Sequence, residues 1–550
     1  MTSQRLVNVS RFLPDAAAKV PHHRALAIPQ GRSAEGTIDY QNLTFAELSS
    51  RVDLAAHWLR SKGIDQGTRS LLMVKPGLKL ILLSFAMFRI GAVPVVIDPG
   101  MGLKNFLNCV RTTEPDALVG IPLAHAVKAV FRKPFSSVKH AAKVGKGAAF
   151  SEVLDSMPTT PAEPALTQAN ELAAILFTSG STGAPKGVCY EHRMFEAQVE
   201  MIRSEYDIQP GEVDLPMLPI FALFNPAMGM TTVVPEMNPS RPATVDPAKI
   251  VQAIQQNKVT SSFGSPVLWT KIGRYCQAHN IQLPSLKRIL MAGAPVSSAI
   301  MRMFEPILPN GAIHTPYGAT ESLPVSTISA KRVLANTWKK TERGAGTCVG
   351  KAFKEIDTRI IPLTIEPVKS MDAVTSLGKG EIGELCVHGP VVTQKYNALP
   401  EATAKAKIAD PDGGPLWHRM GDLGYIDEAG DIWFCGRMAE RVETAPNIFS
   451  YTDPCEAIAN KVEGVFRSAL IGLGERPNQE PAIVIEPEPA SWPKSKKDQT
   501  AFADRIRVAL NKHEHTATIQ KVFFQKKFPV DVRHNAKIHR LTLKRQFDKS

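Results

Sequence analysis

The run FTSGSTGAPKGV, residues 177–188, packs four hydroxyl residues, three glycines and a lysine between an apolar stretch and a tyrosine. Gly180 and Gly183 allow backbone conformations that turn amide groups inward. Thr178, Ser179, Ser181 and Thr182 add hydroxyl donors, and Lys186 adds a mobile positive charge. Such a loop suits a polyphosphate. It is not the G-x-x-x-x-G-K-[ST] loop, because Lys186 lies between Pro185 and Gly187. No hydroxyl residue follows the lysine, so a Mg²⁺ ligand must come from elsewhere. Taken alone, a Ser/Thr/Gly-rich run also fits a flexible surface loop.

Three further constellations carry chemistry. HTPYGATES, residues 314–322, sets Tyr317, which can lie on a purine face, beside the turn glycine Gly318, then Thr320 and the carboxylate Glu321. WHRMGDLGYIDEAGDIWFCGR, residues 417–437, places Asp422 before an expected hairpin that ends on Arg437, a pair able to hold two ribose hydroxyls. FPVDVRHNAKIHR, residues 528–540, presents Lys537 after an extended arm. Each segment alone also reads as an ordinary turn, hairpin or solvated lysine.

The elements that must position these groups alternate between strand and helix. The apolar run at 171–177 reads as a buried strand whose carboxyl end meets the glycine loop, a common ligand position in α/β folds. Residues 69–100 read as strand, amphipathic helix and strand, a βαβ unit that implies a parallel sheet. The pattern recurs at AKIVQAIQQNKVTSSFGSP and at SLKRILMAGAPV, where a strand ends on Gly293. Residues 133–164 show weak periodicity and read as an irregular excursion or linker. Beyond about residue 441 the texture becomes helix, strand, strand, helix, the composition of a small α+β domain.

At 550 residues, 44% hydrophobic and 21% charged, the chain reads as a globular protein of two or more domains. The net charge of +13 admits nucleic acid, an anionic membrane surface or acidic small molecules as partners. Seven cysteines without a C-x-x-C pair indicate neither zinc nor a disulfide framework and fit a reducing cytoplasm. The first twenty residues lack a signal-peptide core, and the most apolar run, 80–88, is closed by Lys79 and Arg89. Neither export nor a membrane span is expected.

In order along the chain stand FTSGSTGAPKG, GAP (Gly293, Ala294, Pro295), YGATE, GEIGELCVHGP, HRMGDLG, FCGR and the late AKIHR lysine. This order resembles the adenylate-forming superfamily over nearly the whole length. The resemblance implies an α/β fold: a large amino-terminal domain, 1–438, of parallel-rich subdomains plus a small β subdomain, and a small hinged α+β domain, 439–550. It implies ATP and Mg²⁺ as cofactors, with residues 178–186 on the β- and γ-phosphates, Gly293 to Pro295 and Tyr317 around the adenine, Thr320 and Glu321 on phosphate and metal, and Asp422 and Arg437 on the ribose. Lys537 would bridge a substrate carboxylate and the α-phosphate while acyl-adenylate forms.

Members that pass the acyl group to a thiol usually carry an acidic or lysine hinge and then a glycine. Here the hinge position is Ala439, and Thr444-Ala445-Pro446-Asn447 has no glycine. The usual PLFH is PIFA, residues 219–222, and the late lysine follows Ala536 instead of glycine. These departures weaken the case for coenzyme A. Without that thiol the adenylate must be attacked by water, a carrier thiol, an amine or a group within the substrate, and an internal nucleophile needs no tunnel and gains a high effective concentration.

The combination, especially FTSGSTGAPKGVCYEHRMFEAQ, GMTTVVPEMNPSRPA and RHNAKIHR, is similar to the β-lactone-forming branch of the superfamily in bacterial long-chain olefin synthesis. That branch implies a long-chain 2-alkyl-3-hydroxy acid whose adenylate is closed by its own 3-hydroxyl. It also implies association with a β-lactone decarboxylase and an NADPH-dependent reductase. Phe221, Phe224, Met228 and Met230 are the expected alkyl-chain contacts and His314 a further pocket residue, although an apolar stretch of this kind is commonly plain core. The competing expectation is a long-chain acyl-CoA or acyl-carrier ligase. No nucleic acid is expected, and the placement is cytoplasmic, with a peripheral membrane position compatible with a long-chain substrate.

Overall fold

A computed structural model describes residues 6–145, 148–177, 184–238, 241–530 and 537–548. Among these residues four sheets form. In one, the strands His140–Lys143, Ala117–Gly120, Arg69–Met73, Val93–Val96 and Leu172–Phe177 run parallel, and Gly187–Glu191 closes the edge antiparallel. The helix Leu78–Arg89 links Arg69–Met73 to Val93–Val96, the strand–helix–strand unit expected over 69–100, although residues 81–89 are all buried and the helix is less amphipathic than expected. The strand Leu172–Phe177 ends where the glycine loop begins.

The largest sheet has two characters. Val213–Asp214, Ser261–Gly264, Arg288–Met291 and Ala312–Ala319 lie parallel, with crossover helices such as Pro247–Asn257 and Pro266–Ala278. From Ser322–Ser329 onward the ladder turns antiparallel through Thr347–Ala352, Ile432–Arg437, Trp417–Ile426 and Gly383–His388, the small β subdomain. A third sheet, Val465–Leu473, Glu480–Pro487 and Lys521–Phe524, belongs to the carboxyl-terminal part, with the helices Thr452–Ala459, Lys496–Leu510 and Arg540–Phe547. Two apolar clusters there, one around Ile483 and Ile506 and one around Val484 and Leu543, draw only on residues beyond 441.

Residues 133–164 differ from the expected linker. They hold the edge strand His140–Lys143 and the helix Ala148–Asp155, whose Phe150 and Leu154 are buried against the helix Phe45–Ser61. An edge strand of four residues with Ala142 as its buried side chain leaves too short a pattern to read. No helix among the described residues is long and apolar enough to cross a membrane.

Candidate active site

A cavity of about 1770 Å³ opens at the carboxyl ends of the parallel strands, between the large amino-terminal part and the carboxyl-terminal residues. Gly293, Ala294 and Pro295 line it directly after the strand Arg288–Met291. Gly293 has φ +93°, a conformation that favours glycine. Tyr317, Gly318, Thr320 and Glu321 also line it, from the hairpin of Ala312–Ala319 and Ser322–Ser329, with Thr320 and Glu321 at the turn. A side chain at Gly318 would meet the Ser322 carbonyl oxygen at 2.8 Å, so the tight hairpin excludes one.

Asp422 and Arg437 face each other in register across the antiparallel strands Trp417–Ile426 and Ile432–Arg437, and their side chains pair at 2.7 Å. The Tyr317 hydroxyl donates to the other Asp422 oxygen. Burial pushes the Asp422 pKa up, opposed by Arg437, Tyr317 and the charge of Lys537. A carboxylate has about four acceptor positions, so these contacts leave room for hydroxyl donors. Lys537, although it comes from the carboxyl-terminal part, lines the same cavity.

Lys186 also lines the cavity, its ammonium 4.7 Å from the centre of the Tyr396 ring. The Tyr396 hydroxyl donates to Glu321 Oε1 at 2.8 Å. The Glu321 carbonyl accepts from both the backbone N–H and the hydroxyl of Thr393, each at 3.0 Å. Lys407 Nζ donates to Thr393 Oγ1 at 3.2 Å, and burial lowers its pKa to about 7 against the pull of Glu321. Residues 178–183, expected on the phosphates, lie outside the described residues.

Glu321 supplies one hard carboxylate donor at the cavity wall. Among the described residues no group of three His, Cys, Asp or Glu could hold a metal by itself. That set fits Mg²⁺, which is commonly held by one or two carboxylates together with substrate phosphates.

The apolar arm of the cavity runs along Phe221, Phe224, Met228 and Met230, all of which line it. Phe221 stacks on Phe263 at 3.9 Å between ring centres. His314 is not among the lining residues. It packs edge-on against Tyr206 at 5.3 Å, and burial and Arg288 lower its pKa, which marks a packed structural imidazole.

Four residues at this site escaped the sequence reading. Tyr396, Thr393 and Lys407 follow the GEIGELCVHGP motif in a stretch without periodicity, and Tyr396 and Thr393 reach across more than 70 residues to the turn at Glu321. Asp214 lines the apolar arm, its carboxylate accepting from Asn225 Nδ2 at 3.0 Å and bonded to Ser261. The one signal for it was an acidic residue inside the apolar run VDLPML.

The family model of AMP-binding enzymes matches residues 13–397. The chain belongs to the AMP-binding enzyme family. It is 41% identical over 547 residues to the olefin beta-lactone synthetase of Xanthomonas campestris pv. campestris, covering 97% of this chain and 96% of that protein. The olefin beta-lactone synthetase of Stenotrophomonas maltophilia is 40% identical, with 98% and 97% covered. Among solved structures, ATP-bound MatB from Rhodopseudomonas palustris superposes with a TM-score of 0.79 at 19% identity, covering 99% of each chain, a likeness of fold. The protein is an AMP-forming, adenylate-forming enzyme with the mixed α/β fold expected from its motifs.

Proposed function

We propose that this enzyme activates a long-chain 2-alkyl-3-hydroxy acid with MgATP and closes it to a β-lactone. The observation that carries the reading is the 40–41% identity, across nearly the whole chain, to olefin beta-lactone synthetases. The joint lining of one cavity by Lys537, Tyr317, Glu321, Arg437 and an apolar arm supports it.

In the first step a carboxylate oxygen attacks the α-phosphorus and the bond to the β-phosphate breaks, releasing pyrophosphate. Lys537 opposes the negative charge that gathers between carboxylate and α-phosphate. Tyr317 packs on the adenine beside Gly293 to Pro295, while Asp422 and Arg437 hold the ribose. Glu321 would hold Mg²⁺, which supplies charge neutralisation at the phosphates when bound. In the second step the 3-hydroxyl oxygen attacks the acyl carbon, the bond to AMP breaks, AMP leaves with the bonding electrons, and the hydroxyl proton passes to solvent. Held within one substrate, that oxygen competes with any external thiol at high effective concentration. Phe221, Phe224, Met228 and Met230 take the alkyl chains.

The test is a mass-spectrometric assay with MgATP and a 2-alkyl-3-hydroxy fatty acid, with and without coenzyme A. Lactone and AMP without coenzyme A are expected. Turnover only with coenzyme A, giving a thioester, would make the enzyme a ligase and overturn the proposal.

A further inference from the structure

Tyr396 touches two groups that the sequence keeps far apart. Its ring face carries the Lys186 ammonium at 4.7 Å, and its hydroxyl binds Glu321 Oε1 at 2.8 Å. The backbone around it is pinned on both sides. Asn397 N–H donates to the Gly187 carbonyl at 2.7 Å, Tyr396 bridges Val188, and Thr393 holds the Glu321 carbonyl twice. Residues 393–397 therefore clip the strand leaving the phosphate loop to the turn that bears Glu321.

We propose that Tyr396 is a positioning residue that sets Lys186 and Glu321 at a fixed separation, so that the cation and the metal-binding carboxylate meet one triphosphate together. A phenol suits this because its two ends act differently: the ring face attracts the ammonium and the hydroxyl edge orients the carboxylate. The two contacts can be removed one at a time. Phenylalanine keeps the ring under Lys186 and releases Glu321, whereas leucine releases both.

The inference rests on nucleotide use as proposed above, and holds whichever nucleophile completes the reaction. Its test is ATP binding to the full chain by calorimetry, in excess EDTA and in saturating Mg²⁺, for wild type, Tyr396→Phe and Tyr396→Leu. The gain in affinity that Mg²⁺ gives the wild type should shrink about tenfold in Tyr396→Phe, the size expected from one lost hydrogen bond to a charged group. Tyr396→Leu should in addition weaken binding in EDTA, about threefold or more, through loss of the cation–π contact. Equal loss in both media for Tyr396→Phe, or no loss, would overturn the inference and leave the proposed function standing. A wild type that binds no ATP in either medium would overturn both. If Tyr396→Leu fails to fold, the near-isosteric Tyr396→Phe still decides the matter.

Discussion

At the scale of single residues, Asp214 holds a carboxyl far from its ordinary chemistry. Burial pushes its carboxyl pKa up to about 7, against bonds from Asn225 and Ser261 and the charge of Arg288, with Glu212 as the other nearby acid. The folded chain thus holds a proton that the unfolded chain has already lost above about pH 4. Its contribution to stability is full below that pH and disappears as pH rises through about 7. Asp214→Asn removes the titration. The wild type should lose stability relative to the variant between about pH 5 and pH 8, on the order of 1–4 kcal/mol. Denaturant unfolding across that range checks it, and parallel curves for the two proteins would refute it. That Lys537, Tyr317, Glu321, Asp422 and Arg437 line one cavity was legible because motif order groups them. The Tyr396 and Lys407 contacts were not, because a hydroxyl-to-carboxylate bond across 75 residues or a lysine under Thr393 leaves no spacing in the chain.

At the scale of elements, strands and helices were legible wherever a whole face is buried, as in Leu78–Arg89 or Glu480–Pro487, and illegible at the short edge strand His140–Lys143. What joins the carboxyl-terminal elements to their linker is charge. Arg540, at the start of the last helix, pairs with Glu456 of the helix Thr452–Ala459 at 2.6 Å and with Glu440 at 3.0 Å. Asp453 sits close by, its pKa pushed up to about 7, first by burial and then by Glu456. Arg540→Met would leave three acids facing one another with their cation gone. Removing one partner of a buried ion pair costs about 3–5 kcal/mol, and a loss of that order is expected in denaturant unfolding. A change under about 1 kcal/mol would mean that water already screens the cluster.

At the scale of the whole molecule, the question is whether the carboxyl-terminal part must move. We propose a boundary at residue 438, since the apolar clusters around Ile483 and Val484 are built entirely beyond it. The observed arrangement already brings Lys537 to the cavity. It is held by Thr347, which donates to Asp453 at 2.9 Å, and by the approach of Thr452 to Gly436, where an added Cβ would lie 2.2 Å from the Thr452 hydroxyl. A ligase that passes its acyl group to an external thiol has to open a path for that thiol after the adenylate forms. An enzyme whose nucleophile is already within the substrate has no such need. A disulfide between Thr347→Cys and Asp453→Cys would hold the two parts in this pose, and the seven native cysteines, all buried and free, offer little competition for it. The oxidised protein should keep converting acid to lactone within about threefold of its reduced form, because ring closure is intramolecular. A single burst of pyrophosphate followed by arrest, relieved by reductant, would show instead that the second step needs the hinge at Ala439 to turn.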